Sequence, residues 1–278
     1  GAGRLIETLK GNQRTQHQYD SLGRQDKIIA WADEETAHIT IKTFDLLDRL
    51  VEERTEDAKG NLYRSVHYTY DQKGNQSSQI VETHQGLAIT EMQYDQRHRP
   101  VQVKDALGNI TLTDHVEDVT AGIRTTTITD ALGNQVITIK NSIGQTVEHL
   151  RRDFQGQLCA HSKYTYDIAG RKVLQHDKAI ARGLPEHQVV TGWTYDSMGR
   201  LTLMTEAFGC PEQRCTKYRY NRQGQKKTLQ LPDGTKLKYT YDSLGRLKRY
   251  YSSDNTIDYT YEYDLNGNVL IVTDALTQ

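Results

Sequence analysis

Tyr239-Thr240-Tyr241-Asp242-Ser243-Leu244-Gly245-Arg246-Leu247 reads as the end of one strand, a tight turn and the start of the next strand. Tyr239 and Tyr241 alternate with Thr240, and period-two alternation of aromatic and β-branched residues is a strand signal that sets both tyrosines on one face. Asp242 then opens a type I turn, in which its carboxylate accepts a backbone N–H two residues on. Two permissive residues follow, and Gly245 takes the left-handed position that closes the hairpin with a G1 bulge.

The same unit recurs along the chain. Intact copies begin at Tyr19-Asp20 with Gly23, Tyr70-Asp71 with Gly74, Tyr166-Asp167 with Gly170, Tyr195-Asp196 with Gly199, and Tyr263-Asp264 with Gly267. Each ends on Arg or Asn one residue after the glycine. Copies without the tyrosine stand at Asp105 to Asn109 and Asp130 to Asn134, and looser relatives at Asp57, Asn141, Asp153 and Asn221. From Asp20 the principal copies step to Asp45, Asp71 and Asp95, about 25 residues each time, with secondary turns between them. A fixed period of this size marks a repeat architecture. Two degenerate copies agree with the turn reading. Asp48 and His98 replace the glycine, and Asn, Asp and His are the residues besides glycine that are enriched at positive φ.

The sequence predicts one continuous array over 1–278, with irregular insertions near 177–191 and 206–215 and a further tight turn at Leu231-Pro232-Asp233-Gly234-Thr235. The copies begin by Asp20 and still arrive at Asp274, as expected of a piece of a longer array. Composition fits thin layers. Only 36% of the 278 residues are hydrophobic, with 3 Phe, 3 Met and 2 Trp, too little for two thick cores. Disorder is disfavoured by the near-zero net charge and the 17 Tyr. Lys+Arg 35 against Asp+Glu 36 gives a net charge of -1, which argues against a basic nucleic-acid footprint. No stretch has the length of a membrane helix or the pattern of a signal peptide, so no membrane insertion is expected of this segment.

The recurring Tyr-Asp-x-x-Gly-Arg-Leu, as in Tyr241 to Leu247, resembles the YD repeat of the Rhs family. That family includes bacterial Rhs polymorphic toxins, the B and C components of insecticidal toxin complexes, and the teneurins. The resemblance implies an all-β fold: tandem antiparallel hairpins forming a curved, spiralling single-layer sheet, part of a hollow shell. In the bacterial members such a shell encloses a C-terminal effector that an aspartyl protease at the shell's end cuts free. The end-of-core segment of those toxins has no match after Tyr263. The resemblance therefore carries shell-building positions onto this chain and nothing catalytic. The partners it implies are the remainder of the same polypeptide, an encapsulated effector and secretion-machinery components, with a secreted or cell-surface location.

The chemistry-bearing residues favour bland roles. The repeated aspartates recur once per hairpin, whereas glycosidases need two carboxylates facing one cleft. Calcium ligation by successive turns would have only one Asp per turn to draw on. The 10 His show no metal-ligand spacing, and His115, His149, His161 and His176 have no spaced partner. Ser21, Ser197 and Ser243 are turn residues outside any Gly-x-Ser-x-Gly elbow. Cys210 and Cys215 bracket four residues and have the spacing to close a small loop in an exported protein, leaving Cys159 over. No catalytic residue, cofactor or metal is therefore expected. Aromatic stripes such as Trp193 and Tyr195 read as the packing seam between repeats. The alternative function is a surface adhesion module that binds glycans or proteins through the sheet face.

Overall fold

The computed structural model describes residues 4–10, 13–31, 36–179 and 187–276. Among these the secondary structure is entirely β, with 23 strands and no helix. In order they are β1 (Glu7–Lys10), β2 (Gln13–Tyr19), β3 (Gln25–Trp31), β4 (Ala37–Phe44), β5 (Leu50–Asp57), β6 (Leu62–Tyr70), β7 (Gln76–Thr83), β8 (Gly86–Tyr94), β9 (Pro100–Lys104), β10 (Ile110–Asp118), β11 (Ile123–Thr129) and β12 (Gln135–Lys140). They continue with β13 (Thr146–Arg152), β14 (Leu158–Tyr166), β15 (Lys172–Ala179), β16 (His187–Tyr195), β17 (Leu201–Glu206), β18 (Arg214–Tyr220), β19 (Lys226–Gln230), β20 (Lys236–Tyr241), β21 (Leu247–Ser252), β22 (Asp258–Tyr263) and β23 (Val269–Asp274). The contacts divide the chain into two compact units, residues 1–116 with 126–135, and residues 117–125 with 136–278.

In the first unit each strand from β1 to β10 pairs antiparallel with the next. In the second the same ladder runs from β13 to β23. The register slips by one residue at the last position of the strand before each tyrosine-bearing turn, as at Gln18/Tyr19 and Thr240/Tyr241. That slip is the bulge the glycine turn demands.

Cores are thin in both units. Among the described residues, the apolar side chains that are buried are Ala37 and Val66 in the first unit and Leu237 in the second. Val66 lies between Glu53 and Val81, and Leu237 between Leu229 and Ser252, in neighbouring strands. Burial is therefore cross-strand contact within a layer rather than packing of one layer on another.

Both expected interruptions are smaller than the sequence suggests. Asp177, Lys178 and Ala179 belong to β15, and His187 to Thr191 belong to β16, paired residue for residue. The motif is missing there, but pairing with flanking strands supplies the extended conformation. The rest of that insertion, 180–186, lies outside the described residues. The second interruption is a seven-residue connection, 207–213, between β17 and β18. Ala207 and Gly209 take positive φ of 51° and 82°, and the Phe208 N–H donates to the Val190 carbonyl at 2.8 Å. Its ring lies 3.3 Å from where a Cβ on Gly192 would stand, so the loop closes onto β16 at the one position without a side chain. Cys159, Cys210 and Cys215 carry free thiols.

Candidate functional site

The turn is built from Asp242 outward. Its N–H donates to the Arg246 carbonyl at 2.9 Å, and the Gly245 N–H donates to the Asp242 carbonyl at 3.0 Å. Asp242 Oδ1 accepts the N–H groups of Leu244 (3.0 Å) and Arg246 (2.8 Å), and Oδ2 accepts Arg246 Nε at 2.7 Å. Gly245 sits at φ 82°. The arrangement repeats at Asp20, Asp71, Asp167, Asp196 and Asp264, with φ of 88°, 87°, 79°, 81° and 88° at Gly23, Gly74, Gly170, Gly199 and Gly267. Asp48 and His98 both stand at φ 62°, inside the left-handed region.

The tyrosine before most of these aspartates joins its turn to an earlier one; Tyr94, whose hydroxyl donates to Met92 Sδ at 3.7 Å, is an exception. Tyr241 Oη donates to the Lys226 carbonyl (2.7 Å), Tyr70 to Leu50 (2.7 Å), Tyr166 to Thr146 (2.7 Å), Tyr195 to Lys172 (2.8 Å) and Tyr263 to Leu247 (2.8 Å). Tyr19 makes the same bond to Leu5 at 2.7 Å, and Tyr220 to Leu201 at 2.9 Å. From Tyr70 onward the accepting carbonyl in each of these bonds follows the residue that ends an earlier turn. The last residue of the motif completes the rung. The guanidinium carbon of Arg49 lies 4.5 Å from the Tyr70 ring centroid, Arg171 4.8 Å from Tyr195, Arg200 4.8 Å from Tyr220 and Arg246 4.6 Å from Tyr263. Arg246 Nη1 also donates to the Asp264 carbonyl at 3.1 Å. Where Gln replaces Arg, its amide does this work, Gln145 to Gly170 (2.9 Å) and Gln225 to Gly245 (2.6 Å).

Position along the chain explains which turns carry which letters. The tyrosine-bearing turns all follow even-numbered strands, whereas Asp57, Asp105, Asp130 and Asp153 open turns after odd-numbered ones. The latter end on Asn61, Asn109, Asn134 and Gln157, whose bonds to Asp57, Asp105, Asp130 and Asp153 stay within the turn. The sequence pattern alone assigns no task to the final Arg or Asn of the motif. The signal was present as the co-occurrence of Tyr with Arg or Gln.

The carboxylates of Asp95, Asp167 and Asp242 are held ionised. Asp95 is lowered to about 2, chiefly by the Arg99 backbone N–H, with the Arg99 side chain and the Arg97 N–H adding to it against an opposing desolvation. Asp167 is lowered first by its hydrogen bond with the Arg171 side chain, and Asp242 by the Arg246 N–H. Burial pushes the Tyr166 and Tyr241 hydroxyls up, which keeps them protonated as donors.

Other reactive groups are brought together only as structural pairs. His161 Nε2 lies 2.8 Å from Glu148 Oε2 across β13 and β14, a partner that spacing along the chain does not reveal. His149, Ser162 and Asp177 stand side by side on β13, β14 and β15. Ser162 donates directly to Asp177 Oδ1 at 2.6 Å and His149 is bonded to Thr138 at 3.2 Å. A nucleophilic triad needs the imidazole between hydroxyl and carboxylate, so this row lacks that logic. Among the described residues no three His, Cys, Asp or Glu side chains are placed to hold a metal ion. The aromatic stripes are covered: Lys172 Nζ sits 4.8 Å from the Tyr164 ring and 5.2 Å from Trp193, and Arg14 5.0 Å from Trp31.

Residues 108–251 match the family described as teneurin YD-shell, and residues 241–278 match the RHS repeat. None of the curated proteins matches the chain. Among solved structures it is similar to the TcdB2-TccC3-Cdc42 complex, at 14% identity and a TM-score of 0.43, covering 94% of this chain and 18% of that one. It is also similar to the Photorhabdus luminescens Tc holotoxin pore, at 14% identity and a TM-score of 0.34, covering 95% and 18%. The chain thus spans about a fifth of the length of these structures.

Proposed function

The chain belongs to the teneurin YD-shell family, and from that membership we propose that it is a non-catalytic wall segment of a β-shell that encloses and protects an effector polypeptide. The observation that carries the proposal is the rung. Tyrosine hydroxyls, arginine stacks and glutamine amides spend the motif's polar groups on joining one turn to the next. Groups so committed are unavailable for catalysis and suited to holding a continuous wall, in which each repeat is stabilised by its neighbours. The covered aromatic stripes favour packing over sugar stacking, and so favour a wall over the adhesion alternative. Its partners on this reading are the rest of the same polypeptide, the enclosed effector and the secretion machinery, and its location is outside the producing cell.

Limited proteolysis of the full-length protein, followed by native mass measurement, tests this. The expected result is a repeat core that keeps a protected C-terminal fragment bound through digestion. Digestion of everything outside the repeats at the rate of an unfolded chain overturns the proposal.

A further inference from the structure

On several strand pairs a cation meets a carboxylate on the neighbouring strand. Lys42 pairs with Glu53 (3.5 Å), Lys104 with Glu91 (2.9 Å), Lys163 with Glu148 (3.4 Å) and Arg249 with Asp258 (2.6 Å). One face of β18, β19 and β20 instead sets cations across neutral residues. The register sets Lys217 opposite Gln230 and Gln230 opposite Lys236; one row away, Arg219 faces Thr228 and Thr228 faces Lys238. Two rows of cation, neutral residue, cation result, and the six side chains line a trough of about 150 Å³. Thr228 and Gln230 are its half-buried floor, while Lys217, Arg219 and Lys236 stand exposed on its walls. Lys238 is half-buried, its Nζ 5.4 Å from the Tyr251 ring. Among the described residues none of the four cations has an ion-pair partner. The chain as a whole is near neutral, at net charge -1, so basic composition does not account for the concentration.

The spacing of the charges is set by strand geometry. Cations two residues apart along a wall are about 7 Å apart, and the walls are two strand spacings, about 10 Å, from each other. An extended peptide has the same rise per residue and sends successive side chains to opposite sides. Its residues i and i+2 therefore match the cations of one wall, and i+1 and i+3 those of the other. The Thr228 hydroxyl and the Gln230 amide both donate and accept, and so can meet the peptide's own N–H and C=O groups. A polyanion whose charges are not spaced by a strand gains no such match. We propose that this trough binds an extended acidic peptide segment, four consecutive Asp or Glu residues running along β19 with their carboxylates directed alternately to Lys217/Arg219 and Lys236/Lys238. This inference is independent of the enclosing role.

The test is fluorescence anisotropy on the whole chain at low salt, with a labelled tetraglutamate peptide as probe. A second peptide with the same four glutamates at every third position breaks the match. The expected result is that tetraglutamate binds at least tenfold more tightly than the respaced peptide. Binding should fall more than tenfold in K217Q/R219Q/K236Q/K238Q and persist in K27Q/K59Q/K140Q/K248Q, which loses the same charge elsewhere. The one-wall variant K217Q/R219Q, which leaves β20 untouched, should show an intermediate loss and serves if the fourfold variant does not fold. Equal binding of the two peptides, binding unchanged in K217Q/R219Q, or capture of a heparin octasaccharide by the trough without tetraglutamate binding would each overturn the proposal.

Discussion

Gly199→Val separates the two tasks of a turn glycine. Gly199 stands at φ +81°, and a Cβ there would lie 3.4 Å from Arg171 Nη1. A left-handed L-residue costs about 1–2 kcal/mol, and a β-branched one is the least tolerant of that region. The added methyls also displace the Arg171 guanidinium, which lies 4.8 Å from the Tyr195 ring and 3.5 Å from the Asp196 carbonyl. Losing the stack costs about 0.5–1 kcal/mol. Reduced freedom of the unfolded chain returns roughly 0.4–1 kcal/mol, which leaves a net loss of about 2 kcal/mol. Gly234 is the comparison. It has φ +92° with nothing within 4 Å of a Cβ, and its turn follows the odd-numbered strand β19, so Gly234→Val carries the backbone strain alone and a net loss of about 1 kcal/mol. Repeat arrays do not melt as one unit, so local hydrogen exchange by mass spectrometry is the suitable assay. Exchange in peptides covering 195–201 should quicken by about 30-fold in the first variant, and in 230–236 by about fivefold in the second, on tenfold per 1.4 kcal/mol. Equal acceleration at the two sites would refute the claim that the even-strand turns carry an additional rung.

Asp48→Gly and His98→Gly relieve backbone strain but delete a contact between turns, since Asp48 accepts from Arg24 and His98 Nδ1 lies 2.7 Å from Asn75 Oδ1. Each should be close to neutral in local exchange, rather than stabilising as relief of strain alone would make it. Tyr241→Phe removes the 2.7 Å bond to the Lys226 carbonyl while keeping the ring, and should cost about 1 kcal/mol, read as faster exchange around 226 and 241 with the odd-strand turns unaffected. On acidification, a carboxylate whose folded pKa is depressed contributes stability that is present above its unfolded value near 3.9 and is lost as pH falls through the folded one. For Asp95, lowered to about 2, the loss falls between about pH 4 and pH 2. Asp95→Asn should therefore flatten the pH dependence of exchange at that turn in this window and leave the dependence at Asp167 unchanged.

The Asp and Gly of each turn were legible in the sequence because the bonds they make close within five residues. The substitutions at Asp48 and His98 were legible for the same reason, since positive φ is a local property of residue type. The rung was not. Arg246 reaches Tyr263 and Asp264, and Tyr70 reaches Leu50, contacts between residues about 20 apart whose meeting depends on strand length and register rather than on either neighbourhood. The pairing of His161 with Glu148 was hidden in the same way. The stretch from Asp177 to Thr191 shows the converse. It lacks the motif, yet its flanks are strands because β15 and β16 hold each other in register.

A sheet with so few buried apolar side chains draws its cohesion from somewhere other than a core. In this chain the substitute is a ladder of polar contacts in which every link joins adjacent hairpins: a hydroxyl to a carbonyl, a guanidinium to a ring, an amide to a glycine carbonyl. Such links are individually worth about 1 kcal/mol and add along the array without reaching past the nearest neighbour. Loss of one rung should loosen two hairpins and leave the remainder in place, whereas loss of a core residue in a sandwich disturbs every strand that packs on it. A wall built this way tolerates lesions locally. That property follows from the spacing of Tyr, Asp, Gly and Arg within each repeat.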